Sequence, residues 1–109
     1  MSDWLNEVEN ELRRGRLSQN PGLTRTAARR IAGIAIKELQ RHLPHQMFGE
    51  DYLRALRTFA NTEELPATVA EAAQRLQARL SPDFTSPSVD PLGEAMIIVE
   101  FVKTRVSTK

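Results

Sequence analysis

Apolar residues recur every three or four positions through five stretches of this chain of 109 residues, and polar or proline-bearing segments part them. Such spacing is the signature of amphipathic helices. Trp4, Leu5, Val8 and Leu12 mark the first stretch, with Ser2 placed to cap it and Asp3 and Glu7 near its positive end. The pattern predicts a helix to about Leu17, broken by Ser18-Gln19-Asn20-Pro21-Gly22. A second helix is predicted from a Thr24 cap to about Leu43. Ala27, Ala28, Ile31, Ala32, Ile34, Ala35, Leu39 and Leu43 fill more than half of its circumference, at about 100° per residue. Arg25, Arg29, Arg30, Gly33, Lys37 and Arg41 share the remaining arc. So wide an apolar arc, rich in alanine, predicts a central helix approached closely from two sides.

After a loop from Pro44 to Gly49, a third helix is predicted from about Glu50 to Ala60, burying Tyr52, Leu53, Leu56, Phe59 and Ala60. Pro66 suits the first position of a fourth helix, whose apolar residues are Val69, Ala72, Ala73, Leu76 and Leu80 and which Ser81-Pro82 stops. Asp90-Pro91 then starts a fifth, a cap followed by proline in the first turn. Leu92, Ala95, Met96, Val99, Val102 and Val106 form its stripe, and Ile97, Ile98 and Phe101 widen that stripe almost to a full turn. Met96 to Val102 is rich in β-branched residues, but no other segment offers it a strand partner, so helix is the reading. Its surplus apolar surface has two explanations, a position at the centre of the bundle or cover by a second subunit in a homodimer. The expected fold is one all-α domain, a five-helix antiparallel bundle over residues 1–109.

Composition narrows the function classes. A chain of this length buries roughly two thirds of its unfolded surface and supports a core without staples. It has no cysteine, hence no disulfide, thiol nucleophile or thiolate zinc site, which suits a reducing cytoplasm. The N-terminus has neither a basic nor an apolar leader region, and no apolar run approaches a membrane span. No membrane role, metal or cofactor is therefore expected.

Charge changes the picture most. From Leu12 to Lys37 there are seven basic residues and no acid, namely Arg13, Arg14, Arg16, Arg25, Arg29, Arg30 and Lys37. The remainder holds eight basic and fourteen acidic residues, so a net charge of +1 conceals +7 set against −6. That asymmetry points to an anionic partner. Arg13, Arg16, Arg25, Arg29 and Arg30 are the candidate ligand-binding residues, because arginine forks match phosphate and such contacts need no base-reading motif. Aromatics do not interleave with them, which argues against single-strand stacking. The structural alternative is a solvated face neutralised by acids of the later helices, or by a partner subunit.

Catalytic signatures are few. His42 and His45 fall within Arg41-His42-Leu43-Pro44-His45. A histidine base beside an arginine that stabilises an anionic transition state is suited to RNA cleavage. Equally, a positive or dipolar residue at a helix C-terminus stabilises that end. Glu63-Glu64 and Glu9 with Glu11 read as solvated helix ends, and Gly22, Gly33 and Gly49 are isolated, so no phosphate-cradling glycine loop exists.

The order of these features resembles the HEPN domain. The resemblance rests on an amphipathic first helix with an early tryptophan (Trp4-Leu5-Asn6-Glu7-Val8-Glu9). It rests also on an alanine-rich second helix ending Ala35-Ile36-Lys37-Glu38-Leu39, and on the short Tyr52-Leu53-Arg54-Ala55-Leu56. The Ala70–Leu80 helix, the Pro82–Pro87 exit and a closing helix from Glu94 to Arg105 complete it. The resemblance implies an antiparallel bundle, homodimerisation, and association with a nucleotide, RNA or a partner such as a nucleotidyltransferase. Nuclease members carry an R-x4-6-H motif, whereas Arg41 and His45 have only three residues between them, one of them Pro44. The expectation is a non-enzymatic domain binding a nucleotide, RNA or an acidic protein. The alternatives are a divergent metal-independent ribonuclease using Arg41 and His45, or a purely structural interaction module.

Overall fold

A computed structural model of the protein describes residues 4–42, 51–61, 65–78 and 90–107, apart from the side chains of Pro21, Tyr52, Leu53 and Ser107. These residues hold five helices: α1 (Trp4–Leu17), α2 (Pro21–His42), α3 (Tyr52–Ala60), α4 (Ala67–Gln77) and α5 (Pro91–Ser107). No strand occurs among them. The Cα radius of gyration is 13.2 Å, as expected for a folded chain of this length, about 13 Å. Among the described residues, no helix is long and apolar enough to cross a membrane.

Helix α2 is the axis of the fold, touching α1, α3, α4 and α5. Its small residues explain how four helices reach it. Ala28, Ala32 and Ala35 are wholly buried, as are Ile31 and Ile36. The apolar arc is therefore wider than its predicted members, because Ile36 joins it and Gly33, expected on the exposed arc, is buried. Helix α1 adds Trp4, Val8 and Leu12 to the core, while Leu5 stays exposed. From α3 come Ala55, Leu56, Phe59 and Ala60, and from α4 Val69, Ala72, Ala73 and Leu76. Phe59 and Phe101 meet edge to face, their ring centres 6.1 Å apart.

Part of the wide apolar surface of α5 lies inside the chain. Ala95, Ile98, Val99 and Val102 are buried. Leu92, Met96, Ile97, Phe101 and Val106 pack part-buried against the same core. Helix α5 packs on α2 and α4, which accounts for its buried side. The large apolar residues left exposed among the described ones are Leu5, Leu17 and Leu23, and none lies on α5.

Helix starts follow cap chemistry. α2 begins three residues before the expected Thr24 cap, because Asn20 caps it: Gly22 N donates to Asn20 Oδ1 at 2.8 Å and Thr24 N to Asn20 O at 3.0 Å. Pro21 thus takes the first helical position, where its missing N–H costs nothing. The Pro-Gly pair opens the helix as well as ending the turn. Thr24 instead ties the two helices together, its hydroxyl lying 3.3 Å from the carbonyl oxygen of Gly15. Asp51 caps α3 by accepting from Arg54 N at 2.8 Å, and Asp90 caps α5 by accepting from Gly93 N at 3.1 Å. Pro66 is the cap of α4 and not its first residue, with no side-chain bond to help it. The expected Ser2 cap, Leu43 and Leu80 lie outside the described residues, as do the Ser81-Pro82 stop, Glu63 and Glu64.

Candidate anion-binding face

The basic segment spans the last turn of α1 and most of α2, and helical geometry distributes its arginines over different flanks. Arg25 and Arg29 lie four residues apart, so they share a face of α2. Arg30 is one residue further on, about 100° away, and turns towards α1. There its Nη1 lies 3.9 Å from Glu11 Oε1. Arg14 approaches the same oxygen at 3.6 Å. Glu11, expected to be a solvated helix end, is part-buried and has an arginine from each of two helices near it. Arg13 and Arg16 occupy the flank of α1 turned away from Glu11, both exposed.

Arg29 is anchored. Its Nε donates to Leu76 O at 2.7 Å and an Nη2 hydrogen to Ala78 O at 2.8 Å. These carbonyls end α4, where no intrahelical donor remains for them. The arginine thereby serves as a cap supplied from another helix, its charge set against the negative end of the helix dipole. Partial burial is the main reason its proton is held less tightly than an ordinary arginine's, and the nearby positive charges of Arg25 and Arg57 add to the effect. Arg57 of α3 thus belongs to this neighbourhood. It lies outside the acid-free segment, so a linear charge count misses it, and only the packing of α3 on α2 brings it in.

Neutralisation is uneven. Acids of the later helices pair with none of the arginines from Arg13 to Arg30 among the described residues; the acid that does is Glu11, immediately before the segment. Arg13, Arg16, Arg25 and Arg57 form no salt bridge to a described carboxylate. Elsewhere, Arg75 of α4 grips the nearly buried Glu94 of α5 with two bonds, of 2.6 and 3.1 Å. That hydrogen bonding is the leading reason the Arg75 proton is held more tightly than usual.

At the far end of α2, Arg41 Nη1 lies 3.2 Å from Glu38 Oε1, and His42 Nε2 lies 3.1 Å from Glu38 Oε2. Arg41 and His42 both sit in the last turn, where a basic residue suits the dipole. His45, with which Arg41 would form the cleavage pair, lies outside the described residues. Among the described residues, no three metal-binding side chains come together. No protein-family model matches this chain, and no curated protein or solved structure matches it either.

Proposed function

We propose that this chain is a non-enzymatic cytoplasmic helical domain, HEPN-like in an antiparallel five-helix bundle, that binds a phosphate-bearing partner, a nucleotide or RNA, on the basic face of α1 and α2. One observation carries the reading. The six arginines of the basic segment, Arg13, Arg14, Arg16, Arg25, Arg29 and Arg30, meet one described carboxylate, that of Glu11. Intramolecular neutralisation therefore goes only part of the way. Exposed guanidinium groups without counterions attract phosphate through both charge and bidentate geometry.

The test is binding of a labelled RNA oligonucleotide, and of ATP, across a salt series. Each phosphate neutralised on a single strand contributes roughly −0.7 to the slope of log affinity against log salt. The expected result is a steep fall as salt rises and a shallower slope for R13E/R16E/R25E. An affinity that ignores both salt and these substitutions rejects the reading. Co-purification of an acidic protein free of nucleic acid favours a protein partner instead. The same reading expects pairing with a second copy, which sedimentation equilibrium reads directly as a doubled mass.

A further inference from the structure

The positive face has one place where its charge is both concentrated and fixed. Arg29 cannot swing into solvent, because two carbonyls at the end of α4 hold its guanidinium. A guanidinium carries five N–H donors, and those two bonds leave three with no acceptor among the described residues. Arg25 stands one turn before it on the same face of α2. Arg57 comes near from α3, which packs on α2. Neither Arg25 nor Arg57 has a carboxylate partner among the described residues. Three like charges gathered about a fixed centre repel one another, and a bound anion relieves that repulsion.

We infer that Arg25, Arg29 and Arg57 form a receptor for a terminal phosphate, the dianionic end of a nucleotide or of a 5′-phosphorylated RNA strand. The inference rests on the phosphate-binding reading above and locates it at one point. A terminal phosphate carries about −1.5 to −2 charge near neutral pH, against a single charge on each internal diester, so it matches three guanidinium groups better. A long strand would instead need a continuous row of unpaired arginines. Glu11 interrupts such a row by engaging Arg14 and Arg30. Arg29, fixed in advance, loses little freedom when the phosphate arrives, while Arg25 and Arg57 add their charge to its own.

The experiment compares two RNA oligonucleotides of one sequence, bearing a 5′-phosphate or a 5′-hydroxyl, with AMP and adenosine as competitors. The intact chain is expected to prefer the 5′-phosphate by about tenfold or more, the worth of one to two charged hydrogen bonds. AMP competes and adenosine does not. R25E and R57E each abolish the preference; the milder R57Q, at an exposed position, reduces it, and circular dichroism confirms that each variant keeps its helices. R13E/R16E weakens both RNAs alike and leaves the preference intact. Competition by AMP without a preference between the RNAs assigns the site to free nucleotides. RNA binding with neither a 5′ preference nor AMP competition overturns the receptor while leaving the broader reading standing, and so does a preference that survives R25E and R57E. Absence of any RNA or nucleotide binding overturns both.

Discussion

Arg29 shows how one residue type serves two ends. By charge pattern it is one more arginine of the acid-free segment, yet its contacts are with the backbone of α4 and not with solvent alone. Two hydrogen bonds from a charged donor to carbonyls at the end of α4 are worth more than a surface ion pair such as Lys103 with Glu100, which contributes little. R29A is expected to destabilise the fold by about 2 kcal/mol in urea unfolding. R29K should recover less than half of that loss, because an ammonium on a flexible stem does not span two carbonyls as a planar fork does. A loss equal to that of an ordinary exposed arginine, within about 0.5 kcal/mol of the parent, contradicts the capping role. Glu11 makes the complementary point, since one carboxylate holds Arg14 of its own helix and Arg30 of the next.

At the scale of the elements, close approach rests on small residues. Gly15 is buried in the last turn of α1, where a Cβ would meet Leu92 Cδ2 at 2.8 Å and Ala27 Cβ at 3.3 Å. The leucine tip can give way, and alanine gains up to about 1 kcal/mol over glycine in a helix. G15A should therefore melt close to the parent. G15L should cost about 1–3 kcal/mol through overpacking, read as a lower melting temperature with unchanged helix content; a neutral G15L contradicts the close fit of Gly15 against Leu92 and Ala27. Helical periodicity alone foretells Val8, Leu12, Ile31, Phe59, Leu76 and Val99 as core, because a single buried face imposes that spacing. Less is legible where an element is buried on more than one side, as at Ile36 and Gly33, since no polar face remains to mark the boundary. The start of α2 also escapes the sequence pattern: Asn20-Pro21-Gly22 fits a turn and a capped helix equally, and only the Asn20 bond to Gly22 distinguishes them.

At the scale of the molecule, the acid-free segment resolves into three places: the exposed flank of Arg13 and Arg16, the Glu11 pairs, and the cluster around Arg29. A charge count along the chain finds the segment but cannot divide it, because division follows from the angle of each residue around its helix and from what packs alongside. Arg57 was illegible for the same reason, being remote in sequence and near only in the folded chain. The sequence pattern also sees Arg75 and Glu94 as unrelated, although they clasp α4 to α5. A phosphate seeks arginines with no described carboxylate beside them and passes over Arg14 and Arg30, which flank Glu11. The most direct measurement follows arginine Nε–H signals by NMR as AMP is added to the labelled protein. Signals of Arg25, Arg29 and Arg57 are predicted to shift together and saturate, while those of Arg14 and Arg30 hold still. Movement confined to Arg14 and Arg30, or no arginine signal moving at all, contradicts a phosphate site at Arg29.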